Sequence, residues 1–462
     1  MPQTRRMRRL VFGTMLGLLP AAAMAQTSTA DVQATMDMLR KGVAFRTEQG
    51  QVPDFARYLA GKLQEGGFAA ADIEIIPVGN TAAMAVRYRG RGQEKPILIS
   101  GHMDAVAAKP EDWTRDPFTL VEENGYLYGR GVADMKSAVV VAVQTFIRLK
   151  REGFVPNGDL ILVLSGDEET EMASTRELAK RFHDARFLLN ADAGGGSLDA
   201  NGKPVLYEVQ TAEKTYADFS ITFTSPGGHS SEPDVADNAI YRLARAIDRM
   251  AAYQFPNRIS PTTKASLQAL GKQLNNDMGH AMLRYADHPD DAAAANVIAA
   301  DPAYVGQIRT TCVATMLQGG HALNALPQKA TVDVNCRIFP DTPVADVQAT
   351  LARVVDDASV RIEVLPPPPV ESPESPLRPD VMSAVADAVH ARFPGVEIVP
   401  GMSAGASDSM HFRNAGVASY GVDGAFTKEN DTFAHGLNEK LPASEIPAEL
   451  DYWHRLLTTL AK

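Results

Sequence analysis

The chain of 462 residues carries 45 basic and 56 acidic residues, is 45% hydrophobic and 22% charged, and has a formal net charge of -11. That composition is ordinary for globular proteins and supplies apolar material for more than one core, so two domains are the natural expectation. The acidic balance excludes the broad basic surface that nucleic-acid binding requires.

Arg5, Arg6, Arg8 and Arg9 precede the apolar run LVFGTMLGLLPAAAMA, which closes on Ala23-Met24-Ala25. A basic start, a short apolar stretch and a small-residue end predict a secretory signal peptide over 1–25, cleaved near Ala25. The run is short of the ~20 residues a spanning helix needs. No later segment qualifies, so no integral membrane segment is expected after cleavage. The mature chain then carries 41 basic against 56 acidic residues and is expected to work in the periplasm or as a secreted protein. Disulfides persist there. Cys312 and Cys336 are the only cysteines, each in a strand-like run on either side of a polar stretch over 318–329 that reads as a hairpin loop, and equal offsets from its middle would place them opposite each other. They form either a cross-strand disulfide or two buried free thiols.

From Asp31 to about Ala212 the chain alternates helical and extended patterns. Helical periodicity marks 31–45, 53–66, 136–151 and 173–182; strand-like runs mark 72–77, 83–89, 96–100, 159–164 and 186–190. This predicts a three-layer α/β domain. After Lys214 come a strand (216–224), a helix (236–251), strands (311–317 and 330–338), a helix (343–356) and a strand (359–364). That βαββαβ order reads as a ferredoxin-like unit inserted into the larger domain. A polar, alanine-rich, helical elaboration over 255–310 interrupts it. The proline run 366–369 ends the insertion, since it continues neither strand nor helix. Helices at 379–393 and 443–460 and a strand near 416–421 complete the first domain. The predicted division is therefore 26–213 with 367–462, and an inserted lid over 214–366.

Three apolar strands run directly into polar chemistry: PILIS into Gly101-His102-Met103-Asp104, LILVLS into Gly166-Asp167-Glu168-Glu169, and RFLLN into Ala191-Asp192. Ligands of open α/β sheets collect beyond the carboxyl ends of the strands, so these endings should converge on one crevice. Crowded carboxylates with a histidine call for cations to hold them. His102 and Asp104, two apart in an extended segment, emerge on one side, and Asp104 is placed to hold the imidazole of a metal-ligating His102. Asp134, in the glycine-rich turn GRGVADMK, is either a helix N-cap or a carboxylate bridging two cations. Of Glu168 and Glu169, one can bind metal while its unligated neighbour takes a proton from water; solvated loop charge is the alternative. Asp192 and His435 read individually as turn residues.

Taken together in this order, SGHMD, GRGVADMKS, SGDEE, NAD and AHGLNE resemble the dizinc metallopeptidase and amidohydrolase family of aminoacylase, carboxypeptidase G, acetylornithine deacetylase and succinyl-diaminopimelate desuccinylase. The stretch from Ile308 to Pro340 and the AHGLNEKL ending resemble most the carboxypeptidase S and secreted N-acyl-amino-acid hydrolase branch. The resemblance implies that His102 and Asp192 bind one Zn²⁺, that Glu169 and His435 bind the other, and that Asp134 bridges them; cobalt or manganese could substitute. It implies Glu168 as general base, Asp104 orienting His102, and His229 of GGHSS stabilising the oxyanion, in many members across a dimer interface. Asn324 and Arg337 resemble residues on the substrate's carboxylate side. Gly405 and Ser407 lie in GMSAGASDS, which resembles the family's glycine-rich substrate loop. Arg337 reads equally as a strand residue paired with a surface acid, and the loop as a solvated one. The elaboration over 255–310 occupies the inserted domain where smaller members dimerise, which puts the homodimer and delivery of His229 from a partner in doubt here.

The expected function is metal-dependent hydrolysis of an amide bond next to a free carboxylate, of the carboxypeptidase, dipeptidase or N-acyl-amino-acid amidohydrolase type, on a small peptide or N-acyl amino acid. The alternatives are an aminopeptidase-type dizinc hydrolase and a non-catalytic periplasmic peptide-binding protein.

Overall fold

The computed structural model describes residues 27–428 and 431–462; the signal-peptide segment over 1–25 lies outside them. A 10-stranded sheet organises the larger domain. Across it run Ile73–Val78, Thr81–Tyr88, Gly158–Ser165, Glu94–His102, Phe187–Asn190 and Ser419–Gly421, then Pro204–Glu213, Gly195–Leu198 and Phe426–Lys428, with Glu397–Ser403 also paired to Pro204–Glu213.

Its central strands are apolar on both faces because helices cover both. Ile97 and Ile99 face a core that includes Phe55, Val139, Phe146, Val385 and Trp453, from helices Val52–Glu65, Ser137–Arg151, Pro379–His390 and Glu445–Leu460. Leu98, on the opposite side of the pleat, meets Leu178 and Phe412 from Ala173–Arg181 and Ser409–Asn414. The alternation of neighbouring side chains along one strand thus produces the three layers.

The parallel strand Glu94–His102 lies between Gly158–Ser165 and Phe187–Asn190, with His102 opposite Ser165 and Ser100 opposite Asn190. All three polar strand endings therefore leave the sheet side by side.

A separate antiparallel sheet orders Thr311–Gly319, Lys329–Ile338, Thr215–Thr224 and Arg361–Val364. Helices Ala239–Ala252 and Val344–Val355 cover its apolar face, where Phe219, Phe223, Val332 and Val334 pack with Leu243 and Leu351. Cys312 stands opposite Cys336 in register, and the two form a disulfide; no cysteine is free among the described residues. No helix among them is long and apolar enough to cross a membrane.

The elaboration differs from its expected placement. Its helices Pro261–Leu274, Asp277–Asp287 and Ala292–Ala299 have their own core around Leu267, Tyr285 and Ile298. They rest on the edge of the large sheet: Thr262 bonds Thr211 at 2.6 Å, and its N–H donates to Glu374 at 2.7 Å. The edge strand Thr311–Gly319 stays uncovered, with Val313, Met316 and Leu317 exposed. The argument against a dimer drawn from the elaboration therefore loses its ground, since these helices satisfy their apolar face elsewhere.

Candidate metal centre

The convergence begins at His102, whose Nε2 lies 2.9 Å from Asp134 Oδ1 and 3.5 Å from Asp192 Oδ1. His435 Nε2 lies 2.9 Å from Asp134 Oδ2 and 3.0 Å from Glu169 Oε1. Asp134 thus turns one carboxylate oxygen to each imidazole. Ligand-capable atoms of His102, Asp134 and Glu169 lie within 4.8 Å of one another, as do those of His102, Glu168 and Asp192. Two overlapping donor groups share His102.

Each donor is held locally. Asp104 is buried 3.4 Å from His102 Nδ1 and accepts the N–H groups of Glu168, at 3.2 Å, and Glu169, at 3.0 Å. One carboxylate thereby fixes both the imidazole and the acidic turn. Asp167, the first of the three acids, caps the following helix by accepting the Ala173 and Ser174 N–H groups at 2.8 and 3.0 Å. Asn190 accepts the Asp192 N–H at 3.0 Å. Gly194, just beyond, has φ +77°, and a Cβ there would stand 2.4 and 2.6 Å from the carbonyls of Gly421 and Glu208, so the turn after Asp192 admits only glycine.

The electrostatics follow from burial and crowding. Burial pushes Glu168 up to about 10, with repulsion from Asp192, Asp408 and Glu169 only partly offset by His102. Burial raises Glu169 to about 7, and the charge of Asp134 adds to it; burial likewise raises Asp192. Burial opposes the charge of Asp134 too, but hydrogen bonds from His102 and His435 outweigh it and hold that carboxyl below its usual range. The hydrogen bond to Asp134 is the main reason His435 rises to about 9. Four carboxylates against two imidazoles, at ligand-to-ligand distances, suit divalent cations bound by nitrogen and oxygen.

Comparison with known proteins agrees with this chemistry. The model of peptidase family M20/M25/M40 matches residues 98–459. The chain belongs to this family. Membership makes it a metal-dependent hydrolase of amide bonds, in keeping with the donor cluster. The chain is 27% identical over 383 residues to the N-fatty-acyl-amino acid synthase/hydrolase PM20D1 of Xenopus tropicalis, covering 78% of this chain and 72% of that one. It is 28% identical over 408 residues to a probable succinyl-diaminopimelate desuccinylase of Staphylococcus aureus, covering 87% and 93%. The M20 family metallo-carboxypeptidase Sso-CP2 from Sulfolobus solfataricus has the same fold, with a TM-score of 0.66, 16% identity, and coverage of 92% and 99%.

The candidates from this M20 chain's smaller sheet stand apart from the cluster. Gly228–His229 pairs with Ala325–Leu326 as a two-stranded ribbon, bringing His229 beside exposed Asn324, whose carbonyl accepts the Ser230 N–H at 3.0 Å. His229 Nδ1 sits 2.7 Å from Ser231 Oγ, and among the described residues neither His229 nor Asn324 makes a polar contact with the donor cluster. Arg337 lies over the Tyr216 ring and donates to the Ala404 carbonyl at 2.6 Å, so it reaches the glycine-rich loop rather than a surface acid. In that loop the exposed Gly405 donates its N–H to Ser403 Oγ at 2.9 Å. Ser407 is buried; it donates to Glu213 and accepts from Asn190 Nδ2 at 3.2 Å, which commits its hydroxyl to the loop's foundation.

Two residues escaped the motif reading. Glu439, wholly buried, accepts Arg130 Nη1 at 2.7 Å and the N–H groups of Gly131 (2.9 Å), Ala133 (2.8 Å) and Asp134 (3.0 Å), so it fixes the turn that presents Asp134. Burial pushes its carboxyl up, yet a ring of four donors with no acceptor suits only the ionised form. Asp408, also buried, accepts Ser165 at 2.6 Å and Thr175, beneath the acidic turn. The signal for Glu439 was its place in AHGLNE, four residues after His435.

Proposed function

We propose that the chain hydrolyses the amide bond of a small peptide or N-acyl amino acid, next to a free carboxylate, with Glu168 as proton carrier. One observation carries this reading. Among the described residues, the buried Glu168 carboxylate makes no hydrogen bond to protein, although it lies among residues that otherwise tie one another down. A carboxyl group left free in that position is available to a water molecule, and cations held by its neighbours would favour its ionised form.

His102 and Asp192 would hold one divalent cation, Glu169 and His435 the second, with Asp134 shared between them; zinc suits the donors, as do cobalt and manganese. Such ions supply Lewis-acid polarisation and lower the cost of deprotonating water. Glu168 takes the proton of the attacking water as its oxygen bonds to the carbonyl carbon, then delivers that proton to the leaving nitrogen as the C–N bond breaks. Asp104 keeps Glu168 and His102 oriented throughout. On the smaller sheet, Arg337 and Asn324 face the substrate's carboxylate, and His229 reaches the carbonyl when the ribbon closes over the centre. The names of the relatives, an N-fatty-acyl-amino acid hydrolase and a desuccinylase, support an N-acylated amino acid as substrate. The Cys312–Cys336 disulfide supports work in the periplasm or outside the cell, as the signal-peptide reading requires.

Glu168→Gln tests the assignment: the variant should bind metal like the parent and lose about 10²–10⁴ in kcat. A Glu168→Gln protein that turns over a panel of N-acyl amino acids and dipeptides at the parental rate removes Glu168 as the proton carrier. Loss of hydrolysis on chelation, with recovery on adding Zn²⁺, Mn²⁺ or Co²⁺, separates this reading from a metal-free peptide-binding protein.

A further inference from the structure

The smaller sheet has a second recess, on the side away from Arg337. Val334 and Arg337 are three positions apart on one strand, so their side chains take opposite faces. On the Val334 face, residues of helices Ala239–Ala252 and Val344–Val355 line a cavity of about 480 Å³, within the range of small-molecule sites. Ile247, Met250, Phe255, Leu351 and Val354 give it apolar walls. One charged group lines it, Arg309, which is 5% exposed.

The partners of Arg309 are unusual for a buried cation. Nη1 donates to Gln254 Oε1 at 2.9 Å and Nη2 to Asn257 Oδ1 at 2.6 Å, both neutral acceptors. Nε is buried with no partner, and no carboxylate pairs with the guanidinium among the described residues. Guanidinium remains charged in proteins, and a buried charge without a counter-ion is costly. A buried guanidinium with no counter-ion, in the lining of an otherwise apolar cavity, matches a carboxylate on an apolar chain.

We propose that this cavity binds a fatty carboxylate, with Arg309 holding the head group and the two helices enclosing the chain. The site is distinct from the metal centre and does not depend on the reaction assigned there. A plain fatty carboxylate fits better than an acylated amino acid, because the latter would bury an extra amide against the aliphatic wall.

Calorimetric titration of the metal-loaded mature protein with sodium decanoate tests this. Saturable binding at one site is expected, weakened at least about tenfold by Arg309→Met, and by a similar factor when decanol replaces decanoate. Arg309 also ties down Gln254 and Asn257, so Ala251→Trp serves as the second variant: Ala251 is exposed on its helix and lines the cavity, and the indole should obstruct the chain without removing any hydrogen bond. Undiminished decanoate binding in both variants, or decanol binding as tightly as decanoate, overturns the proposal.

Discussion

Glu439→Gln keeps volume and shape while replacing one carboxylate oxygen by an amide NH₂. Oε2 accepts Arg130 Nη1 and the Gly131 N–H, and Oε1 accepts the Ala133 and Asp134 N–H groups, so either orientation of the amide turns donors against two donors. Two of four hydrogen bonds are lost, and Arg130, 3% exposed, loses its counter-ion. Breaking a buried ion pair on one side costs about 3–5 kcal/mol, a large share of the ~5–15 kcal/mol that stabilises a domain. The loosened turn also carries Asp134, so metal affinity should fall about 10–100-fold, as when a residue supporting a ligand is removed. Urea unfolding reads the first effect, and competition for Zn²⁺ against a chelator of known affinity reads the second. Turnover at saturating metal should fall far less than in Glu168→Gln, since Glu439 touches no reacting atom. A variant with the parental unfolding midpoint and parental metal affinity would refute the role given to Glu439.

Reduction of the Cys312–Cys336 disulfide, or Cys312→Ser with Cys336→Ser, opens a loop with sequence separation 24 and should cost about 3 kcal/mol in the chain-entropy model, read as a lower denaturation midpoint. Asp31 supplies a pH signature remote from the metal centre. Burial opposes its charge, but hydrogen bonds from Arg151, Ser28 and Gln144 outweigh that and lower its pKa from 3.8 to about 2. A carboxyl depressed in the folded state stabilises above its unfolded pKa and loses that contribution as pH falls from about 4 through about 2. Asp31→Asn should therefore destabilise at pH 6 and converge on the parent near pH 2; a difference independent of pH contradicts the assignment.

The strand endings made the donor cluster legible because a buried strand leaves few places for its polar end to go. The endings of 96–100, 159–164 and 186–190 are expected to converge on one crevice, and the structure makes these strands parallel neighbours whose register brings His102, Glu168 and Asp192 together. The βαββαβ order matches the second sheet, and its register resolves the alternative that the sequence left open for Cys312 and Cys336 in favour of the disulfide. In Glu397–Ser403, Pro400 and Gly401 interrupt the alternation and mask the strand, whose pairing with Pro204–Glu213 comes from the sheet rather than from local propensity. Glu439 was hidden for a different reason. Three of its four partners are backbone N–H groups, which every non-proline residue carries, so its place in AHGLNE marks the position without revealing the role. Ser407 shows the converse: a small polar residue in a glycine-rich loop suggests ligand contact, yet Glu213 and Asn190, distant in sequence, claim its hydroxyl. Residues that touch metal or water are constrained by chemistry and leave motifs, whereas those that hold them are constrained by tertiary geometry. That asymmetry places the strongest untested control over Asp134 in Glu439, behind the centre and out of reach of any substrate.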